Sequence, residues 1–429
     1  MNMPDIIRKK RDGGELSPVD IRFWLDGYVR GEIVDYQSAA LLMAIYLRGL
    51  SKVETVELTL AMRDSGAVLD LSAIGGIKAD KHSTGGVGDK TTLVTAPIMA
   101  AAGLKVAKMS GRSLGFTGGT LDKLMSIDGF KTELSPAELI AQVNTCGLAL
   151  IGQTAELAPA DKLLYALRDA TATVESTPLV AASIMSKKLA VGADVLVLDV
   201  KYGSGAFFKT EAAALEVAGI MVEIGRAAGQ RVTALISSME QPLGKAIGNA
   251  LEVDEAWQVL CGQGPPDVRE LSLALVAEAL SLAGFAPNRA SSLAKASELL
   301  DSGAARTKFV RMVEAQGGHS DFSRLPKARL QIPIAAKESG YICRLDAELI
   351  GHAAAYVGAG RQVKEAAIDH SAGIMLKYKQ GDYLRAGDVI AVLHGNEAKG
   401  IDEAAALFAQ AVMISPEPPK PVPLIAGVI

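Results

Sequence analysis

The first 66 residues place apolar side chains three to four positions apart, the period of helices. Ser17-Pro18 opens one helix, YQSAALLMAIYL (36–47) carries apolar residues at helical spacing, and SKVE (51–54) is a capping box opening another. From about residue 70 the period changes: LKVAKMSGR, LALIGQT, ADVLVLDVKYGSG and RVTALISS are short β runs that end in turns and alternate with helical stretches. The stretch 93–104 reads as a buried, alanine-rich helix. A second helical block, 160–192, interrupts the alternation and is expected to pack back on the amino-terminal helices, with a hinge between two lobes. After residue 330, GYICRLDAELIGHAAAYVGAG and GIMLKYKQGDYLRAGDVIAVLHGN read as strands separated by turns, punctuated by Gly381-Asp382 and Gly387-Asp388. The pattern predicts an α/β protein. A small all-α domain (1–66 with 160–192) accompanies a large α/β domain with a mixed sheet (70–159 with 193–330), and a β-rich C-terminal α+β part (331–429) packs on the latter.

Composition narrows the function. A chain of 429 residues has room for two or three packed units. Its net charge of -4, from 44 Lys plus Arg against 48 Asp plus Glu, and the lack of a basic block argue against nucleic acid as a partner. Small molecules or other subunits remain. The amino end, MNMPDIIRKKRDGGELS, lacks the apolar core of a signal peptide, and no apolar run reaches the roughly 18 residues of a membrane span. Cys146, Cys261 and Cys343 are odd in number, far apart and without a CxxC pair. They suggest neither a disulfide framework nor a zinc site, and a reducing cytoplasm fits.

The candidate chemistry begins at DKHSTGGVGDK (80–90). Gly85, Gly86 and Gly88 allow backbone N–H groups to turn inward as an anion nest, and a helix starting at about Lys90 or Thr91 aims its positive end at the same point. Lys81, Ser83 and Thr92 add a charge and two hydroxyls. A nucleotide-binding P-loop is excluded because Asp89, not glycine, precedes Lys90. Taken alone, the loop fits phosphate no better than an ordinary glycine turn. KMSGR then brings Lys108, Ser110 and Arg112, and FTGGTLDKL opens another helix with Gly118, Gly119 and Thr120. Three cation-plus-hydroxyl loops suit one small, doubly charged oxyanion, with inorganic phosphate the natural candidate. His82, inside the first loop, is placed to donate a proton or hydrogen bond beside the anion. His319, His352, His370 and His394 show no ligand-like spacing and read as structural.

A second constellation lies in the inserted helical block. Ser183 and Lys187 are four apart on one helix face, and Arg168 offers planar, bidentate donors. Together they suit a carbonyl–imide–carbonyl edge; an ordinary amphipathic helix explains the stretch equally well.

With these residues assembled, the chain resembles the thymidine and pyrimidine-nucleoside phosphorylases along nearly its whole length. KHSTGGVGDK, KMSGRSLGFTGGTLDKL, IGQTAELAPADKLLYALRDATATVESTPLVAASIMSKKLA and DVKYGSGAF stand in that family's order and spacing. The resemblance implies a homodimer paired through the α domains that cleaves pyrimidine nucleosides with inorganic phosphate, without a redox cofactor or catalytic metal. By resemblance, Lys81, Ser83, Thr92, Lys108, Ser110 and Thr120 bind phosphate; Arg168, Ser183 and Lys187 hold the pyrimidine; and His82 meets the base near its 2-carbonyl. The catalytic set it implies is His82, Arg168 and Lys187. It also implies a structural potassium ion on groups matching Gly88, Leu243, Ala246 and Glu255. Lys90 stands where those relatives have threonine, and its ammonium either replaces that ion or points to solvent. Further departures are Ser113, Phe116 and Met125, where the family has Gly or Ala, usually His, and Glu. They leave a non-catalytic nucleoside- and phosphate-binding relative as an alternative. A phosphoribosyltransferase is a second, which Asp89 alone supplies poorly with metal-binding acids.

Overall fold

The computed structural model describes residues 1–111, 118–153, 156–361 and 367–429; Arg112, Ser113 and Phe116 lie outside them. The chain opens with α1 (Met3–Arg11), α2 (Pro18–Val29), α3 (Asp35–Arg48) and α4 (Lys52–Asp64). Next come β1 (Ala79–Ser83), α5 (Thr91–Ala101), β2 (Val106–Ser110), α6 (Thr120–Leu124), α7 (Pro136–Cys146) and β3 (Leu148–Gly152). The inserted helices α8 (Pro159–Ala170) and α9 (Thr177–Val191) precede β4 (Val195–Tyr202), α10 (Glu211–Ala227), β5 (Arg231–Ser238) and β6 (Ala246–Ile247). Four helices, α11 (Asn249–Leu260), α12 (Pro266–Ala283), α13 (Arg289–Asp301) and α14 (Ala304–Ala315), lead to the C-terminal part. That part holds β7 (Leu330–Ala335), β8 (Gly340–Leu345), α15 (Ala347–Tyr356), β9 (Gly373–Leu376), β10 (Tyr383–Leu384), β11 (Val389–Gly395), α16 (Ile401–Ala411), β12 (Val412–Ser415) and β13 (Ile425–Val428).

The caps read from sequence are in place. Ser17 and Ser51 each accept from the backbone three residues on, and Asp20 and Glu54 return the bond. One expectation is corrected: GYICRLDAELIGHAAAYVGAG is not all strand. It is β8 followed by α15, because Asp346 caps the helix by accepting from Leu349 N and the alanine-rich run beyond it favours helix.

The main sheet runs β1-β4-β5-β13, parallel through its first three strands and closed by an antiparallel β13. It is therefore mixed, and the last strand of the chain returns to it from the C-terminal part. A parallel β2-β3 pair lies beside it: Ala79 N donates to Lys105 O at 2.8 Å and Lys105 N to Ile77 O at 2.9 Å, bringing β2 alongside β1. Every residue of β4 is buried, as parallel strands covered on both faces require. Two of them, Asp199 and Lys201, are charged. None of the helices among the described residues is long and apolar enough to cross a membrane.

Trp24, Leu25, Leu41, Leu42, Ile45 and Leu58 share a core with Ala160, Leu164, Leu179 and Ala182 of α8 and α9. On the same helix, Ala181, Met185 and Leu189 belong instead to the core of β4, β5 and α10. One helix thus enters both cores.

The helical core also holds a buried ion pair. Glu54 accepts Lys10 Nζ at 2.7 and 2.8 Å and the amides of Leu16 and Ser51, both at 2.7 Å, while the two charged side chains are 4% and 1% exposed. Removing one partner of such a pair leaves an uncompensated buried charge. Glu54→Ala is expected to cost about 3 kcal/mol or more, read as a lower urea midpoint, whereas exposed Glu32→Ala should leave that midpoint nearly unchanged.

Candidate active site

The site is built where β1, β2 and β4 meet the glycine turn, at strand ends of the kind where α/β sheets hold ligands. Beyond Ser83 the chain turns through Gly85 and Gly88, whose φ angles are +90° and +76°, and enters α5 at Thr91. Asp89 organises this turn: it accepts the hydroxyls of Ser83 and Thr91 (the latter at 2.6 Å) and the Thr91 amide at 3.2 Å. Lys81 Nζ donates to Thr91 Oγ1 at 2.6 Å and lies 3.3 Å from Asp199 and 3.8 Å from Asp89. Lys201 lies 2.9 Å from Asp199 and 4.0 Å from Asp89, and Ser237 donates to Asp199 at 2.6 Å. Burial pushes the Asp89 carboxyl up, but Lys81 and Lys201 outweigh it and hold the group well below the usual carboxylate range.

A second cluster joins β1 and β2 to α9. Lys108 and Lys188 bind the two oxygens of Asp80, at 3.1 and 2.9 Å, and donate further to the carbonyls of Lys81 and Met109. Lys108 sits in mid-strand, not at a strand end, and its ammonium is buried rather than solvated. Burial, joined by Lys188 and Lys81 against the opposing pull of Asp80, lowers it to about 7. His82 is half-buried, and its Nε2, shielded from solvent, has no hydrogen-bond partner among the described residues. Burial first, then the charges of Lys188 and Lys108, hold the imidazole well below its ordinary value, so it is neutral. Ser110 Oγ, also buried, has no partner among the described residues either.

Across the two clusters four buried ammonium groups (Lys81, Lys108, Lys188, Lys201) face three buried carboxylates (Asp80, Asp89, Asp199). With Lys108 protonated the balance is positive, in a place largely shielded from water.

The third loop is tied to the first by Lys123, whose Nζ donates to Asp89 O (3.1 Å) and Gly118 O (2.9 Å) and lies 3.2 Å from Glu252. Thr120 is the first residue of α6, and Thr92 is buried one residue into α5. Met125 follows α6 and is exposed.

On the helical side, Lys187 pairs with Asp161 and reaches Ser183 Oγ at 3.2 Å, so these two predicted residues do meet. Asp161 Oδ1 has no hydrogen-bond partner among the described residues. Arg168 differs from its reading as a free planar fork. Its guanidinium donates to the carbonyls of Thr173, Leu179 and Val174, at 3.2, 3.2 and 2.6 Å, so three of its five N–H bonds brace the connection between α8 and α9. Two N–H bonds have no partner among the described residues. Lys187 and Lys188 are sequence neighbours whose ammonium groups go to different clusters, one to Asp161 and the next to Asp80.

Lys90 does not point to solvent. Its side chain is fully buried, and Nζ donates to Leu243 O (3.0 Å), Ala246 O (2.8 Å) and Glu255 Oε2 (2.5 Å). Those are three of the four groups assigned by resemblance to a potassium ion; the fourth, Gly88, packs so closely that a Cβ there would sit 2.4 Å from Leu243 O. The residues present do not fit a metal ion at this spot, because its oxygens already surround a positive charge.

Lys123, Lys188, Asp199 and Lys201 escaped the sequence reading. The available signal was a charged pair inside the otherwise apolar run VLVLDVKY and a doubled lysine, Lys187-Lys188, in a helix whose neighbours are apolar.

Comparison with known proteins shows the family. Residues 4–66 match the helical bundle domain of the glycosyl transferase family, 75–306 its a/b domain, and 341–415 the pyrimidine nucleoside phosphorylase C-terminal domain. The chain is 51% identical over 425 residues to the pyrimidine-nucleoside phosphorylase of Bacillus subtilis (strain 168), covering 98% of each. This protein belongs to the pyrimidine-nucleoside phosphorylase family. It is 49% identical over 426 residues to the enzyme of that name from Geobacillus stearothermophilus, covering 97% of each. The anthranilate phosphoribosyltransferase of Thermus thermophilus shares the fold, with a TM-score of 0.58 at 21% identity over 73% of this chain and 99% of that one. As a member of the family the protein is a pentosyltransferase.

The neutral state of His82 is testable. Its imidazole 15N shifts should show no protonation of the ring at the ordinary 6.5. In Lys188→Met the strongest charge holding the proton off is gone and Asp80 is less neutralised, so the titration should move up toward the ordinary 6.5. A wild-type midpoint near 6.5 would contradict this electrostatic picture.

Proposed function

We propose that this protein catalyses the reversible phosphorolysis of pyrimidine nucleosides, thymidine, uridine and deoxyuridine, to the free base and (2-deoxy)-α-D-ribose 1-phosphate. The observation that carries this reading is the buried positive excess beneath the glycine turn, with Ser110 Oγ and His82 Nε2 unsatisfied beside it among the described residues. A phosphate dianion compensates the first and offers acceptors or donors to the second. In this scheme Lys81, Ser83, Thr92, Lys108, Ser110 and Thr120 hold phosphate so that one oxygen attacks C1′ of the sugar. The new C–O bond forms as the glycosidic C–N bond breaks through an oxocarbenium-like state, and the bond pair leaves with the base. Lys187, Ser183, the two uncommitted N–H bonds of Arg168 and the neutral N–H of His82 then stabilise negative charge on the departing imide, where preorganised donors act most strongly. The scheme draws on no redox cofactor or catalytic metal.

A phosphoribosyltransferase role is less well served. Asp89 is enclosed by Lys81, Lys201, Ser83 and Thr91, which leaves it closed to a pyrophosphate-bound metal.

We further infer that two copies pair through the helical side in the cytoplasm. Phe23, Tyr36, Met43, Tyr46, Leu47 and Val53 are exposed on α2, α3 and α4, an apolar surface suited to a second copy, and three free cysteines fit a reducing compartment.

The test is release of free base from thymidine and from uridine, with and without phosphate. Release that requires phosphate and yields sugar 1-phosphate is expected, with kcat/KM falling by roughly 10²-fold or more in Lys187→Met. Phosphate binding without release would favour the non-catalytic alternative, and a monomer in sedimentation of the same sample would overturn the pairing.

A further inference from the structure

The corner that joins the phosphate loop to β6 and α11 is built around one charge. Lys90 carries three N–H donors and meets three acceptors, two main-chain carbonyls and one carboxylate oxygen, so its ammonium is fully satisfied with none to spare. The carboxylate is itself fixed: Glu255 also accepts the amides of Lys245 (2.9 Å) and Ala246 (3.1 Å). The corner closes only because two of its residues lack side chains. At Gly88 a Cβ would strike Leu243 O; at Gly244, with φ +70°, it would lie 2.1 Å from Glu255 Oε2 and 2.9 Å from Lys90 Nζ. Leu243 N donates to Val87 O at 3.0 Å, completing the join.

An all-oxygen set of two carbonyls and a carboxylate is a donor set for a hard cation. We propose that Lys90 is a tethered cation: its ammonium permanently fills a monovalent-cation site and fixes the turn that carries Asp89, making the protein independent of alkali ions.

The consequence follows from chain connectivity. Asp89 precedes Lys90, and it aligns Ser83 and Thr91 and faces Lys81 and Lys201. Anchoring Lys90 therefore orients the phosphate-side donors without touching substrate, which makes it a positioning residue. A free ion would have to be bound from solution, with occupancy set by its concentration. A tethered one is present at every salt composition. Burial opposes the Lys90 charge, but Glu255 and then Glu252 more than offset this and raise its proton affinity, so it stays charged throughout the working range.

The experiment compares potassium, sodium and tetramethylammonium chloride at one ionic strength, reading thermal midpoint, calorimetric phosphate affinity and rate. The intact protein should give the same values in all three salts. Lys90→Thr, which empties the cage, should bind phosphate at least roughly tenfold more weakly in tetramethylammonium and recover several-fold in potassium or sodium. Lys90→Met, which fills the space without charge, should be weakened and not recover. A gain in stability or phosphate affinity of the intact protein with potassium overturns the proposal even if neither variant folds. So does a Lys90→Thr protein that binds phosphate normally in tetramethylammonium. Only the rate rests on the phosphorolysis reading; the thermal and phosphate-binding arms still decide the cation question if no turnover occurs.

Discussion

The proposed phosphate site depends on a buried charge imbalance. Taking an ammonium group out of water is costly unless a partner compensates it, and here the carboxylates among the described residues compensate three of four. The surplus is what supports the proposed anion site. Burial first, and then the neighbouring lysine charges, leave Lys108 holding its proton weakly, at about 7, and keep His82 neutral. An isolated surface lysine would do neither. The arrangement is held by structure that has nothing to do with substrate: strand pairing sets Lys81 opposite Val197 and Ser83 opposite Asp199, which puts Lys81 and Asp199 on one face of the sheet, 3.3 Å apart, and leaves Asp80 on the other.

The two halves of the site communicate through α9. Leu179 and Ala182 are buried with the amino-terminal helices, while Met185 and Leu189 are buried with β4 and α10. Along the same helix, Lys187 serves Asp161 and Lys188 serves Asp80. Successive side chains on a helix diverge by about 100°, which is what lets neighbours face opposite clusters. The helix that helps fill the amino-terminal core thus also carries Lys188, which contributes to the charge balance around Lys108 and His82.

Much of this was legible in the sequence. Local signals gave the helices with their caps at Ser17 and Ser51, the strands that carry Lys108 and Asp199, and the glycine turn with its following helix. Ser183 and Lys187 meet as their spacing required. What was not legible needed partners from distant segments. Asp346 turned a run read as strand into helix through a single cap, and β13 joins β5 across some 190 residues of sequence. The spacing of Arg168 gave no sign that three of its donors serve the backbone, because main-chain carbonyls leave no mark in composition. Lys90 showed only as a departure, and its meaning appeared once Leu243, Ala246 and Glu255 closed around it.

The central claim is that the buried positive surplus is completed by a phosphate dianion. It is tested most directly by calorimetric titration of inorganic phosphate at about pH 8 in buffers of different ionisation enthalpy, where Lys108 in the free protein is mostly uncharged. Binding should draw a proton onto Lys108, so uptake approaching one proton per phosphate is predicted, and it should vanish in Lys108→Met. Phosphate that binds without proton uptake, or does not bind at all, would contradict the account.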